Sequence, residues 1–567
     1  MQKSRLRAAI LNAADRNAAL VIKNAKIVNV FTEEIIEGDV AIRDGIIIGV
    51  GSYSGKVEID AKGGYLTPGL FDGHVHIESS MAHPSRFANV ILEKGTTTII
   101  ADPHEIANVC GADGIQYMLD QTEWLPLSVF VMCPSCVPCT AFETSGAKLT
   151  ARDLEAFMNH PRILGLGEVM DYIATVEGDG EMLDKLHLFR HYPIDGHAPG
   201  LSGDALNAYC VAGPHTDHEC TTYDEVIEKL RKGLHVHLRL GSASRAIEDI
   251  MKKIAENKIP TRRMMFCTDD KHLENIRDEG HINYILRRAV ANGINPIQAV
   301  QMATINTANT YGLRHYGAIA PAYRADIVIF DNLTDFNPQI VITDGKIFEP
   351  SMDAHLKPDP KIYNSVHLAP RKPDALRLPV SGQMPIIRQL PKELTTVLDV
   401  GEVPNQNGCF VARDGLLKLA VLERHHASGR VGVGIYRGFS LKDGAIATTV
   451  GHDSHNLIVC GDNDTDMYKA IDTLEECGGG YAVVHNGEVL AKLALPVAGL
   501  MSDAPMETIL KHQRELLHAA ATLGVQSESD PFITLSFLAL PVIPAARLTD
   551  MGLFNVTTMQ FYNQANQ

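Results

Sequence analysis

The segment FDGHVHIES carries two histidines, His74 and His76, two positions apart. In a β-strand, residues i and i+2 project from the same face. Both imidazoles can therefore reach one point, as two ligands of a single divalent ion must. Imidazole suits Zn, Fe, Mn or Ni, and two ligands leave positions open for water or substrate. An isolated pair of this kind is more often an accident. This one follows Pro68 and Gly69 and stands beside Asp72, at the end of an apolar run. Four further groups close later runs: Glu168 in ILGLGEV, His197 in PIDGH, His218 in PHTDHE and Asp269 in MMFCTDD. Four imidazoles and two carboxylates can hold two divalent ions around one water, an acid between the ions lowering their mutual repulsion.

The elements that must bring these groups together are legible as texture. From Pro68 to about Leu313, short apolar runs alternate with amphipathic segments such as ARDLEAFMNH, TYDEVIEKLRKG and RAIEDIMKKIAEN. Eight strand candidates with crossover helices predict an α/β chain built on a (β/α)8 TIM-like barrel. No glycine-rich dinucleotide fingerprint follows the first run, which disfavours a doubly wound sheet. The ligand candidates then close strands one, four, five, six and eight, at the carboxyl ends where barrels carry their chemistry.

Flanking segments read as strands with Asp-Gly or Gly turns on both sides of the barrel, VIKNAKIVNV and GDVAIRDGIIIGVG before it, ADIVIFDNL and QIVITDGKIFE after it. One small antiparallel sheet assembled from both sides is the economical expectation. The expected organisation is an amphipathic N-terminal helix and first sheet part (1–67), the barrel (68–313), the second sheet part (314–350), a linker with five prolines (351–380) and a C-terminal α+β domain (381–567). CPSCVPC offers three thiols where an iron–sulfur cluster needs four, so Cys133, Cys136 and Cys139 are read as small buried residues. HHAS, with His425 and His426, looks ligand-like, and His235 and His237, early in the seventh strand, are read as packing. A net charge of −17 disfavours nucleic acid and anionic membrane as partners. No apolar run approaches the roughly 20 residues a membrane span needs. Ten cysteines in so long a chain form no disulfide framework and fit a reducing cytoplasm.

The HxH, the fourth-strand acid, the two later histidines and the final Asp resemble the amidohydrolase superfamily. PGLFDGHVHIESSM, TTTIIADPHEIANV, DGHAPGL, CTDD, GHDSHN and LPVAGLMS resemble, more closely, the bacterial adenine deaminase family, over nearly the whole chain. The resemblance implies a barrel on a small β-sandwich, a binuclear Mn or Fe centre with Zn as a further option, and hydrolysis of adenine to hypoxanthine and ammonia in purine salvage. It also implies a homo-oligomer, a dimer. Carried over residue by residue, His74 and His76 bind one ion, His197 and His218 the other, Glu168 bridges, and Asp269 holds the nucleophilic water. One departure stands out: many family members read Arg-Glu-Gly-Ser where this chain has Arg239, Leu240, Gly241 and Ser242. Loss of that carboxylate is expected to alter purine recognition or metal occupancy.

Attack at C6 of adenine requires a proton at N1, and Glu78 or Glu105 could supply it; the DPHE motif at the mouth of the second strand favours Glu105. An ordinary helix N-terminus, where acids are also favoured, is the competing explanation for both. His104 and Asp270, with His452, Asp453, Ser454 and His455 of the GHDSHN loop, are the candidate substrate contacts. That loop is either a lid over the barrel mouth or a polar turn between two strands. Two other functions compete: hydrolysis of a cyclic amide or another aminated heterocycle, and a barrel that has lost catalysis and serves as a scaffold.

Overall fold

The computed structural model describes residues 3–242, 247–351, 356–390, 395–525 and 530–562. Helix Lys3–Ala14 packs on a small mixed sheet of eight strands. Strand Tyr65–Pro68, which leads into the barrel, pairs antiparallel with Ile327–Phe330, which follows it, so the sheet is assembled from both sides of the barrel. The long strand Asn17–Asn29 shifts register between Ile22 and Ala25. Its first half pairs with Ser54–Asp60 and its second half with Tyr65–Pro68, both parallel. The expected all-antiparallel pattern fails here because the hairpin of Glu34–Arg43 and Ile46–Gly51 intervenes, and parallel neighbours need such a long connection. Both halves share one core, Ile22, Val40 and Ile47 meeting Ile27, Leu66 and Ile327.

The barrel strands follow in sequential order: Leu70–Val75, Thr96–Ala101, Ser128–Cys133, Ile163–Val169, Ile194–Gly196, Thr216–Asp217, His235–Arg239 and Met264–Cys267. Strands one to five form one parallel ladder and six to eight another. Hydrogen bonds close both seams. His215 N–H donates to the Ile194 carbonyl at 3.1 Å between strands five and six. His76 N–H donates to Asp269 O at 3.1 Å, and Asp269 N–H to His74 O at 3.0 Å, between eight and one. The last seam is thus stitched by the ligand-bearing residues themselves. The crossover helices are amphipathic: Ile247–Glu256 buries Ile247, Ile250, Met251 and Ile254, the i, i+3, i+4, i+7 stripe. Tyr223–Arg231 starts where the Thr222 side chain accepts from Glu225 N–H. The ARDLEAFMNH segment forms a shorter helix than expected, Ala151–Glu155, after which the chain turns to bury Phe157.

After a short helix at Pro360–Tyr363, residues 384–494 build a second eight-stranded sheet. Its strand Leu417–Leu422 alternates between two cores. Leu417, Leu419 and Val421 face the apolar core shared with the barrel, while Ala420 and Leu422 face helix Asp464–Glu476. This C-terminal unit therefore sits on the barrel through apolar surface. Each fully buried Leu, Ile or Val in that shared core contributes about 1.5–3 kcal/mol. Among the described residues, no helix is long and apolar enough to cross a membrane.

Candidate metal centre and active site

All six ligand candidates converge at the carboxyl end of the barrel. His74, His76, Glu168 and His218 are 1–3% exposed and Asp269 is 6% exposed. Glu168 is central. Its Oε1 lies 3.6 Å from His74 Nε2 and 3.3 Å from His76 Nε2, and its Oε2 lies 2.7 Å from His197 Nδ1 and 3.2 Å from His218 Nε2. Each carboxylate oxygen thus faces one histidine pair. Asp269 Oδ1 is 3.3 Å from His74 Nε2 and 3.2 Å from His76 Nε2. His76 Nδ1 lies 2.8 Å from the Asp102 carbonyl, which can only accept, so Nδ1–H donates and the Nε2 lone pair points to the centre. His74 Nε2 and His218 Nε2 are buried and have no hydrogen-bond partner. Imidazole nitrogens gathered at a common point, among two carboxylates and no thiol, are a donor set that fits divalent cations once deprotonated.

Backbone and neighbouring groups hold these ligands. Glu168 N–H donates to Asp102 Oδ2 at 2.9 Å, and Gly167 precedes it because a Cβ there would lie 2.2 Å from that same oxygen. Asp72 accepts from Thr268 N–H at 3.0 Å and lies 3.2 Å from His281 Nε2, tying the first strand to the eighth. Arg239 closes the seventh strand with one guanidinium nitrogen 2.7 Å from Asp269 Oδ2 and 2.5 Å from Glu219 Oε1. Asp269 is thereby oriented, Oδ2 on the arginine and Oδ1 toward the histidines.

The electrostatics are those of a balanced cluster. Burial opposes the charged form of every member, but partners outweigh it. Glu219 and Glu168 lift His197 to about 9, and Glu168 with Glu219 lifts His218 to about 10. Despite burial, Arg239 and then His74 and His76 hold Asp269 well below the carboxylate range, and His104, His197 and His218 do the same for Glu168. Glu78 differs: burial, with Glu105 adding to it, pushes it up to about 7.

A small cavity lies between the barrel mouth and the C-terminal domain, lined by Asp270 and Glu78, next in the chain to Asp269 and two residues from His76, and by none of the six ligand candidates themselves. Glu78, Ser79, Asp270 and His272 line its barrel side, and His452 and Phe537 its roof. The Phe537 ring stacks on His452 with centroids 4.6 Å apart. The GHDSHN stretch is a turn between the antiparallel strands Gly444–Thr448 and Leu457–Gly461, and its His452 reaches over the barrel mouth. Its residues divide. His452 lines the cavity and places Nδ1 2.6 Å from Glu105 Oε1, while His455 Nε2 contacts Glu105 Oε2. Asp453 and Ser454 are buried away from the cavity, the Ser454 carbonyl 2.7 Å from His425 Nε2. His104 faces Glu168, with Nδ1 3.2 Å from Oε1, and does not line the cavity. So of the expected substrate contacts, Asp270 and His452 stand at the cavity, whereas His104, Asp453, Ser454 and His455 do not. The reason is that the loop descends beside the second strand, and its tip is spent on gripping Glu105.

Glu105 itself has both oxygens occupied by the loop histidines and lines no part of the cavity; Glu78 does line it, with Oε2 unpartnered and Oε1 accepting from Ile106 N–H at 3.2 Å. Sequence reasoning passed over Glu219 and the Arg239 bridge. Adjacency of Glu219 to His218 was the available signal. Leu240 is core, 5% exposed among Val236, Leu238 and Ile250, and the carboxylates that meet Arg239 come from Glu219 and Asp269. His237 is buried beneath the centre, pushed well below its usual value by burial, and packs against Tyr311. Cys133, Cys136 and Cys139 are buried thiols raised by burial.

Comparisons with known proteins cover most of the chain. A profile of the Amidohydrolase family matches residues 65–348, and one of the Adenine deaminase C-terminal domain matches 393–560. The chain is 46% identical over 548 residues to adenine deaminase 2 of Carboxydothermus hydrogenoformans, across 95% of this chain and 96% of that protein. It is 47% identical over 551 residues to an adenine deaminase of Nitratidesulfovibrio vulgaris, across 96% of each. A crystal structure of an adenine deaminase superposes with a TM-score of 0.46 at 19% identity, over 59% of this chain and 100% of that one.

Proposed function

The chain belongs to the adenine deaminase family of the amidohydrolases, and on that premise we infer that it hydrolyses adenine to hypoxanthine and ammonia at a centre for two divalent cations. The observation that carries the reading is the placement of Glu168, one oxygen toward His74 and His76 and the other toward His197 and His218. These five residues, with Asp269, would hold the cations. A set of imidazoles and carboxylates without thiolate suits Mn or Fe, with Zn as the alternative. When bound, such a pair supplies a polarised water at neutral pH and stabilises developing negative charge.

The chain's own groups perform the proton work. Asp269, fixed by Arg239, takes the proton of the attacking water through Oδ1 and later passes it to the departing amine. Glu78, which faces the cavity, delivers a proton to N1 as C6 becomes tetrahedral and takes up the C6 hydroxyl proton as ammonia leaves. Glu105, the residue that spacing favoured, is instead the anchor of the lid. Asp270 and His452 orient the base, and the apolar side chains of Val450, Ile533 and Phe537 exclude bulk water. A free purine base is thus the small-molecule partner. We assign the protein to the cytoplasm, consistent with ten free cysteines, and a homodimer follows from the family resemblance alone.

The test is ammonia release by Mn-loaded protein over adenine, adenosine, guanine and cyclic amides, with bound metal measured alongside. Turnover of adenine well above the others is expected. Turnover of a cyclic amide alone would move the activity to another branch of the superfamily, and a metal-free protein without turnover would leave a scaffold.

A further inference from the structure

Arg424 is fully buried, 0% exposed, at the end of strand Leu417–Leu422. Its neighbour Glu423 does not neutralise it, because that carboxylate is spent on the N–H groups of His425, His426 and Ser428. The guanidinium donates instead to four backbone carbonyls from three segments. Nη1 donates to Ser365 O at 3.0 Å, Nη2 to Ala498 O at 3.0 Å and Thr449 O at 3.5 Å, and Nε to His455 O. Burial pushes it down to about 10, so it stays charged at neutral pH. A buried cation is costly unless every donor is satisfied. Here each donor ends on a segment that must be held.

Those segments explain two motifs that the chemistry leaves over. GHDSHN carries His455, whose carbonyl Arg424 grips while its ring grips Glu105. LPVAGLMS carries Ala498, and four residues on Ser502 N–H donates to Met81 O at 2.8 Å, while Ser502 O accepts from His83 N–H at 2.9 Å. Met81 and His83 belong to the loop after the first barrel strand, the loop that bears Glu78. Gly499 fits the same logic. It has φ +71°, and a Cβ there would lie 2.9 Å from Nη1 and 3.0 Å from Nη2 of Arg424.

We propose that Arg424 is a positioning residue for the deamination: its carbonyl-caged guanidinium fixes the 449–456 loop and the 498–502 segment together, and so sets both the lid histidines on Glu105 and the loop bearing Glu78 around the cavity. The proposal rests on the reading of the cavity as the adenine site. It acts through geometry, since Arg424 lines no part of the cavity.

The experiment compares full-length, Mn-loaded wild type with Arg424→Met and Arg424→Lys. Adenine turnover, bound Mn and amide exchange are followed in each. Arg424→Met is expected to keep the wild-type Mn content, to exchange faster at 449–456 and 498–502, and to lose about 10- to 100-fold in kcat, the cost of misplacing reacting groups. Arg424→Lys, a cation that reaches fewer carbonyls, is expected to recover part of that loss. A folded, Mn-loaded Arg424→Met with kcat and KM within about twofold of wild type overturns the proposal, whatever its thermal midpoint. If Arg424→Met yields no folded protein, Gly499→Ala, which crowds the guanidinium while keeping its charge, must show the same kcat loss, and normal turnover there also overturns it. If wild type releases no ammonia from adenine, the functional reading fails, and the exchange pattern alone decides the positioning.

Discussion

Substituting Glu78 and Glu105 separately distinguishes the group that moves a proton from the group that holds the lid. In Glu78→Gln the amide oxygen can still accept from Ile106 N–H, the one backbone contact of Oε1 at 3.2 Å. Volume and packing are kept, so the fold and the cation ligands are undisturbed. What is lost is a transferable proton at the cavity wall. General acid–base transfer contributes roughly 100- to 10,000-fold, which is about 2.7–5.4 kcal/mol of barrier. Glu78→Gln should therefore lose that factor in kcat, with KM within a few-fold and metal content unchanged. Glu105→Gln should behave differently. It removes the carboxylate between two buried imidazoles, His452 and His455, and loosens the roof. Its primary effect is a lower thermal midpoint and a higher KM, with a smaller loss in kcat. Steady-state ammonia release on Mn-loaded protein, with metal analysis and a thermal melt for each variant, measures all of this. Near-normal kcat in Glu78→Gln, together with a chemical-sized loss in a thermally unchanged Glu105→Gln, would refute the assignment and return the proton to Glu105.

Three further outcomes are expected. His452, although burial opposes it, is lifted to about 9 by Glu105. A histidine raised from an unfolded value near 6.5 adds stability that is fully present below that value and is lost as pH climbs through the folded one. The difference in thermal midpoint between wild type and Glu105→Gln should thus be largest near pH 6.5 and shrink by pH 9.5; an equal gap at both values would speak against the ion pair. Glu168→Gln should bind less than half the wild-type Mn and lose turnover, since both histidine pairs share that carboxylate, and retention of full metal would show that it does not bridge. Truncation near residue 365 should abolish turnover while leaving a barrel that exposes apolar surface at Leu417, Leu419 and Val421's partners, and an active truncated barrel would refute the lid.

Much of this arrangement could be read before any coordinates. The alternation of apolar runs and amphipathic segments predicts the barrel because parallel strands and crossover helices have different periods. Barrel topology then gathers every strand's carboxyl end at one mouth, so residues as far apart in sequence as His74 and Asp269 become neighbours by their position in the repeat alone. His74 and His76 share a face through strand parity, a purely local property.

What the tertiary structure alone decided lies beyond the strand ends. Glu78 and Glu105 both follow a strand and both stand in the first turn of a helix, so local chemistry cannot rank them. Their surroundings separate only because His452 and His455, about 350 positions along the chain, take both oxygens of Glu105, while Glu78 lines the cavity. Glu219 and Arg239 meet because neighbouring strands bring their ends to within hydrogen-bond reach. The small sheet's parallel pairs and the lid's descent onto the second strand are likewise products of long-range packing. Period and parity are encoded within a few residues; the direction of a side chain in a loop is set by whatever distant segment packs against it.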